Sequence, residues 1–302
     1  MGPFSLPSQK SRYTDRRMTW FVGTPTMFGY GFALADICVT LADETEVDCL
    51  QKIHPVGRHV AAGFSGDVEI GFAMIDELRR LCDLKDERLS CDPASIAAGW
   101  AAVARRVFGG FTPENQNGGS NIIIISAHPE ENTGIGFSPR SYVHIFRSPE
   151  FDAEEVAIHK LGSIGSGSSF GPCRDAIERY ASGNSHRMMF VRGESTSGGM
   201  GSMLGLSLTD ILIRTQPRWV SSHLHYCWVY RGKIILKTND HRRKGRWSVA
   251  ELGAGVEQNA ASSAWAQDAD AEHFEMPTIA TSWGELVELL GSRGATARLC
   301  RG

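Results

Sequence analysis

The sequence lacks the features that assign many chains to a class at first sight. No apolar run reaches the roughly 18 residues of a membrane-spanning helix. The charges nearly balance, with 31 Lys and Arg against 34 Asp and Glu. Neither a GxxxxGK[ST] nor a GxGxxG phosphate-binding motif occurs. We therefore expect no membrane partner and no nucleic-acid partner.

Cysteine is scarce and scattered. Seven cysteines stand at positions 38, 49, 82, 91, 173, 227 and 300, and no two of them form a CxxC pair. An odd, dispersed set in a chain of this length predicts reduced thiols rather than a disulfide framework. This pattern favours a cytoplasmic protein.

The first 17 residues, MGPFSLPSQKSRYTDRR, are polar and basic and contain no apolar stretch of the secretory type. A secretory signal is therefore not expected. We predict that residues 1–18 are a leader or a misassigned start that is absent from the mature protein.

The hydrophobic pattern beyond this leader alternates groups of strands with pairs of helices. Strands are predicted at 19–24, 30–42, 48–56, 59–66, 120–128, 141–148 and 155–165, with a hairpin over 221–240. Helices are predicted at 67–82, 92–110, 168–183, 200–216 and 282–292. This order favours an α+β fold with two antiparallel sheets faced by helices over a doubly wound parallel sheet.

Four features occur in a fixed order along the sequence and together indicate a catalytic site. Thr19 opens the first strand, Asp36 lies in the second, and Lys52 begins the segment KIHPVGRHVAAGFSGD, which contains Gly66. A later IGSGSSFG at 164–171 contains Ser166 and precedes a predicted helix. This set resembles the proteasome β-type peptidases and their simpler bacterial relatives, in the N-terminal-nucleophile hydrolase superfamily.

The resemblance covers about residues 19–240 and implies a four-layer αββα sandwich. It also implies catalytic roles for Thr19, Asp36, Lys52, Gly66 and Ser166, with Thr19 as the nucleophile and Gly66 as the oxyanion donor. Residues 241–302 would be a C-terminal extension of unknown role. The late aspartate and serine of the family have two partial counterparts, ESTSGG at 194–199 and WVSSHLH at 219–225.

Elementary acid–base chemistry agrees with these roles. A threonine hydroxyl needs a base, and a free α-amine, with a pKa of roughly 7.7–8.0, accepts a proton near neutrality. Only the first residue of a chain carries such an amine. A lysine paired with an aspartate keeps its charge and lowers the pKa of the neighbouring amine. We expect Asp36 and Lys52 to meet from adjacent strands.

The function that the resemblance implies is that of a threonine endopeptidase, acting on peptides or unfolded proteins through an acyl-enzyme. Relatives assemble into rings, so a homo-oligomeric ring is expected; the sequence does not identify an ATPase partner. The alternative is a catalytically inactive protein of the same fold that acts as a structural or binding assembly. The bulky Trp20 and the incomplete late aspartate and serine pair favour that alternative.

A phosphate-binding site and a metal site are alternative interpretations of two stretches of the sequence. The GSGS stretch before a helix is also compatible with a phosphate cradle. His223, His225 and Cys227 alternate along a predicted strand and would begin a metal site if they shared one face. We predict neither a metal nor another cofactor, because packed or solvated side chains are the commoner explanation of such patterns.

Overall fold

The chain forms a mixed α+β structure. A computed structural model describes residues 20–25, 30–41, 44–82, 93–127, 141–158, 160–182, 208–209, 211–217, 220–230, 233–238 and 277–292. All strand pairings between its named strands are antiparallel. The α+β class and the antiparallel sheets predicted from the sequence are thus confirmed.

The first sheet joins strands from both ends of the described chain. Its order is β10-β1-β2-β11-β12. The strands are β1 (Phe21–Pro25), β2 (Gly31–Asp36), β10 (Gly162–Ile164), β11 (Leu224–Tyr230) and β12 (Lys233–Thr238). The predicted hairpin of the last two strands is confirmed.

The second sheet has the order β5-β6-β7-β8-β9. Its strands are β5 (Ile53–Gly57), β6 (Val60–Gly66), β7 (Ser120–Ala127), β8 (Ser141–Arg147) and β9 (Ala153–Glu155). A separate hairpin pairs β3 (Cys38–Thr40) with β4 (Glu46–Asp48). This hairpin connects the two sheets along the chain.

The helices follow the predicted periodicity closely. They are α1 (Val68–Cys82), α2 (Pro93–Gly109), α3 (Pro113–Gln116), α4 (Gly171–Ser182) and α5 (Trp283–Ser292). A 3-10 helix spans Ser166–Ser169, and residues 208–209 and 211–215 are also helical. In the described part of the chain, no helix is both long enough and apolar enough to cross a bilayer.

Three apolar clusters organise these elements. One joins the second sheet to α1, α2 and α5, and includes Phe64, Trp100 and Leu286. Another contains residues of both sheets, such as Phe21 and Ile123. The third joins the first sheet to α4 and the helical residues near 212. Each cluster uses one set of the alternating side chains of a strand, as the two-residue period of a sheet requires.

Three predicted strands are interrupted. The strand predicted at 48–56 is wrong over residues 49–52, because β4 ends at Asp48, β5 begins at Ile53, and the backbone between them bonds to Ile37 and Ala280 instead. The strand predicted at 30–42 breaks between Asp36 and Cys38, because the Asp36 carboxylate accepts the Cys38 N–H. The strand predicted at 155–165 is wrong over its middle, where Lys160 N–H donates to Ala157 O in a turn. Only β9 and β10 at its two ends are strands.

The last described segment packs on the rest of the fold. Gln51 N–H donates to Ala280 O at 2.9 Å, and Ala280 N–H donates to Cys49 O at 2.7 Å. Leu286 and Leu290 of α5 are fully buried in the first cluster. Residues 277–292, within the stretch described above as an extension, therefore contribute to the core.

Candidate functional site

A buried ion pair bridges the two sheets. Asp36 ends β2 in the first sheet, and Lys52 immediately precedes β5 in the second. Lys52 Nζ lies 2.6 Å from Asp36 Oδ1, and both side chains are fully buried. The predicted pairing of these two residues is therefore present, but the expected geometry is corrected. They meet across the interface between opposed sheets rather than from adjacent strands.

Four donors surround the Asp36 carboxylate. Oδ1 accepts hydrogen bonds from Lys52 Nζ and, at 2.9 Å, from Trp20 N–H. Oδ2 accepts from Cys38 N–H at 3.1 Å and Ser221 N–H at 3.3 Å. Burial raises the pKa of Asp36, and the positive charge of Lys52 and these hydrogen bonds oppose that rise. Since the three backbone groups can only donate, the ionised carboxylate is the form that fits.

Asp36 also fixes the backbone at the start of the described chain. Besides the Trp20 N–H bond, Asp36 N–H donates to Trp20 O at 3.2 Å. The Trp20 nitrogen is the atom through which residue 19 is joined to the rest of the protein. Thr19 itself, the predicted nucleophile, lies outside the described residues.

Gly66 ends β6 with its N–H directed away from β7. Asp67 N–H donates to Gly119 O at 2.9 Å, and Ser120 N–H donates to Ser148 Oγ at 2.9 Å. In an antiparallel ladder, this makes Gly66 and Ser120 a pair without mutual hydrogen bonds. The N–H of Gly66 therefore points to the side of β6 on which β5 lies.

Gly66 and Lys52 lie at the same end of the second sheet. Ile53 pairs with Gly63, so Lys52 is level with the residue after Gly63, and Gly66 is about 7 Å further along β6. Gly66 has φ +101°, and a Cβ there would lie 2.3 Å from Gly119 O. Glycine is needed here because an L side chain is strained at this φ and collides with the neighbouring backbone.

The GSGS stretch forms the 3-10 helix that follows β10. Ser166 is its first residue, two positions after Ile164, which pairs with Phe21 of β1. The turn is therefore at the same end of the first sheet as the Trp20 nitrogen. A Cβ on Gly167 would lie 2.5 Å from Trp20 Cβ, so the bulky tryptophan packs directly on this glycine.

A second polar cluster, of Asp48, Ser221 and His223, adjoins the Asp36 carboxylate. Ser221 Oγ donates to Asp48 Oδ2 at 2.6 Å, and His223 Nδ1 lies 2.9 Å from the same oxygen. His223 N–H donates to Ser221 Oγ at 2.9 Å. Burial raises the pKa of Asp48, but hydrogen bonds from His223 and Ser221 outweigh it, and the pKa is lowered overall.

Sequence reasoning missed Asp48 and His223 as parts of this site. Ser221 and His223 belong to the WVSSHLH stretch, which contains no aspartate. The acidic partner comes instead from β4, 173 positions earlier than Ser221. No local pattern joins such distant residues, although the hydroxyl and imidazole two positions apart before a strand were a usable signal.

The Asp48, Ser221 and His223 cluster is not arranged as a serine-hydrolase triad. In such a triad the serine donates to Nε2 of the histidine, while the aspartate accepts from Nδ1. Here Ser221 Oγ lies 3.3 Å from Nδ1, the nitrogen that also faces Asp48, and its proton goes to Asp48. This geometry holds a loop in place and does not activate Ser221.

A cleft of about 590 Å³ lies beside these residues. Its polar wall includes Glu46, Asp48 and Ser221, and its apolar wall includes Leu212 and Val220. Cys38 and Ser221, which both hold Asp36 through their N–H groups, also line it. A molecule bound in this cleft would therefore contact Cys38 and Ser221, whose N–H groups donate directly to Asp36 of the buried ion pair.

The described residues do not form the metal site that the His223, His225 and Cys227 pattern would begin. Among them, no group of three or more His, Cys, Asp or Glu side chains is arranged to hold a metal ion. His223 precedes β11, whereas His225 and Cys227 lie within it. The ESTSGG stretch at 194–199 lies outside the described residues.

The chain was compared with protein-family models and with curated proteins, and neither comparison finds a match.

Proposed function

We propose that the chain is a threonine peptidase of the proteasome β type, built as a four-layer αββα sandwich, with Thr19 as its N-terminal nucleophile. One observation carries the proposal. The oxygen of Asp36 that binds Lys52 at 2.6 Å also accepts the N–H that joins Trp20 to residue 19. The positive charge of the buried Lys52 is therefore connected to residue 19 through only the Asp36 carboxylate and the Trp20 N–H.

The layering supports the same fold. Residues of both sheets share one apolar cluster, and separate clusters join each sheet to helices. Gly66 N–H points to the Lys52 side of the second sheet, and the GSGS turn lies at the Trp20 end of the first. Trp20, which favours an inactive protein on sequence grounds, is 1% exposed and packs against Gly167. Its bulk is accommodated in the core.

In the proposed reaction, the Thr19 hydroxyl oxygen adds to the scissile carbonyl carbon while its proton passes to the Thr19 α-amine. The positive charge of Lys52 keeps that amine neutral enough to accept it. Gly66 N–H donates to the oxyanion. Collapse breaks the C–N bond, and the leaving amine takes the proton from the α-ammonium. Water then hydrolyses the threonyl ester, with the α-amine again accepting and returning a proton.

The proposed substrate is a peptide or an unfolded protein, because the reacting groups are those of acyl transfer and no cofactor is required. Assembly into a homo-oligomeric ring is part of the same proposal. A catalytically inactive assembly of the same fold is the alternative.

The deciding experiment compares two forms of the protein. A chain that begins at Thr19 has a free amine there, whereas the 302-residue chain has an amide nitrogen with no basic lone pair. Intact mass establishes the first residue of each form, and fluorogenic peptides measure hydrolysis. We expect hydrolysis by the form that begins at Thr19 and none by the uncut long form.

The matched controls are Thr19→Ala and Thr19→Ser in the short form. Alanine removes the nucleophile and should abolish hydrolysis, while serine should retain part of it. Equal rates for Thr19→Ala and the parent would eliminate Thr19 as the nucleophile. An inactive short form with an intact fold would favour the structural assembly.

A further inference from the structure

The structure points to a positioning role for Asp48. We propose that Asp48 fixes the Ser221 N–H that donates to Asp36 Oδ2, so that the Asp36 carboxylate keeps the orientation in which its other oxygen holds Lys52. The mechanistic consequence rests on the proposed peptidase function. The geometry itself does not.

Of the two backbone donors to Asp36 Oδ2, Ser221 is the one that Asp48 holds directly. Cys38, the other donor, lies opposite Asp48 in the β3–β4 pair, but Cys49 N–H donates to Ile37 O, so Cys38 and Asp48 form a pair without mutual hydrogen bonds. Ser221 N–H donates to Asp36 Oδ2, and its hydroxyl donates to Asp48 Oδ2 at 2.6 Å. Asp48 therefore connects the hairpin and the 220–223 loop at one point.

His223 completes this connection. Its Nδ1 lies 2.9 Å from Asp48 Oδ2, and its backbone N–H donates to Ser221 Oγ at 2.9 Å. The serine hydroxyl thus donates to one partner and accepts from the other. Such a closed set leaves the Ser221 backbone little freedom, so its N–H stays directed at Asp36.

Loss of this support should lower turnover rather than substrate binding. A catalytic group displaced by about 1 Å can cost roughly 100-fold in rate. We expect Asp48→Ala to reduce kcat by about 10-fold or more while KM changes by less than about twofold. Asp48→Asn retains an oxygen that can accept from both Ser221 and His223, so it should restore most of kcat. This rescue separates geometry from negative charge.

A second measurement does not depend on catalysis. Hydrogen–deuterium exchange of the Ser221 amide reports whether its bond to Asp36 persists. Exchange should be about 10-fold faster in Asp48→Ala and in Ser221→Ala, and close to parental in Asp48→Asn. Glu46→Ala is the matched control, since Glu46 lies on the same strand and lines the same cleft. It removes a negative charge without touching Ser221, and exchange should stay parental.

The outcomes separate the two proposals. Parental exchange in both Asp48→Ala and Ser221→Ala would overturn the positioning role, whether or not the parent cleaves peptides. Faster exchange with unchanged kcat would also overturn it as a mechanistic role. If the parent that begins at Thr19 cleaves nothing, the peptidase proposal fails, and the exchange rates alone decide whether Asp48 holds Ser221. If Asp48→Ala does not fold, the exchange rate of the amide at position 221 in Ser221→Ala decides the question.

Discussion

At the scale of single residues, Lys52 determines whether the charge on Asp36 is tolerated. Both side chains are fully buried, and the pair is held at 2.6 Å. Removing one partner of a buried pair leaves an uncompensated charge, which costs about 3–5 kcal/mol. Lys52 is therefore expected to support stability as well as the proposed chemistry.

We predict strong coupling between these two residues. Lys52→Met should destabilise the fold by about 3–5 kcal/mol, because Asp36 then stays buried without its cation. Adding Asp36→Asn to that variant should recover part of the loss. Urea unfolding of the two single variants and the double variant gives the coupling energy, which we expect to exceed about 1 kcal/mol.

An exposed ion pair in α1 is the control for this cycle. Arg79 Nη1 lies 2.9 Å from Asp76 Oδ1, but the two side chains are 36% and 60% exposed. Solvent screening reduces the coupling of such pairs to roughly 0.2–1 kcal/mol. The prediction would be contradicted if the effects of Lys52→Met and Asp36→Asn were additive, with a coupling energy no larger than that of this surface pair.

The candidate site could be predicted from the sequence only in part. The resemblance to the proteasome β-type peptidases implied Asp36 and Lys52 as partners, and we expected them on adjacent strands. The actual contact crosses from one sheet to the other, and strand order is a tertiary property that spacing does not encode. Asp48 was missed for the same reason, since its partners Ser221 and His223 come from the other end of the chain.

At the scale of secondary-structure elements, the end of β6 depends on Gly66. Its φ of +101° is accessible to glycine at little cost, while a non-glycine residue pays about 1–3 kcal/mol in such regions. The contact of 2.3 Å that a Cβ would make with Gly119 O adds to this. The carbonyl belongs to the backbone, so it cannot move aside as a flexible side chain would.

We predict that Gly66→Ala destabilises the protein by at least about 1–3 kcal/mol. Peptide turnover should fall further than stability explains, because the strand end that carries the Gly66 N–H must shift. The measurements are thermal unfolding and kcat at a temperature where the variant is folded.

Gly99→Ala is the matched glycine control. Gly99 lies within α2, and a Cβ there would meet nothing within 4 Å. Alanine is favoured over glycine inside a helix by roughly 0.5–1 kcal/mol, so this variant should be at least as stable as the parent and equally active. A Gly66→Ala protein that behaves like Gly99→Ala would refute the role of Gly66.

The elements themselves were more predictable than their ends. The helices at 68–82 and 93–109 and the buried strand at 120–127 agree with their patterns within a few residues. Periodicity reports which face is buried, so it succeeds where an element is long and packed. The break after Asp36 was not predictable, because a side-chain carboxylate there replaces a ladder acceptor, and periodicity does not register that.

At the scale of the whole molecule, three of the described histidines are buried, and burial lowers the pKa of His144 on β8 as well as those of the two deepest, His54 and His225. His54 stacks on Phe64 and meets Phe72 edge to face in the cluster beside α1, and His225 lies on β11 in the first sheet. Burial lowers the pKa of each to about 3, with nearby positive charges adding to the effect. Both imidazoles therefore stay neutral in the folded protein throughout the physiological range.

These two histidines predict acid-sensitive folding. An unfolded histidine binds a proton below a pKa of about 6.5, whereas each folded one does so only near pH 3. Between those limits the unfolded state binds more protons, so stability falls as pH falls, by about 1.4 kcal/mol per pH unit for each histidine. Asp48, whose pKa is lowered in the fold, adds a further loss that begins as pH falls below the unfolded-state pKa of about 3.9 and is complete below the lowered folded value.

The size of this effect decides how the molecule responds to acid. Two histidines together give a slope of about 3 kcal/mol per pH unit, which would exhaust a typical stability of about 5–15 kcal/mol within a few units below pH 6. Urea unfolding at pH 7, 6 and 5 measures the slope directly. His54→Phe keeps an aromatic ring against Phe64 and Phe72 but removes one titrating group, so its slope should be smaller than that of the parent by about 1.4 kcal/mol per pH unit. Parallel slopes for the two proteins would show that His54 is protonated equally in both states, and the buried neutral imidazole would then be the wrong description of this core.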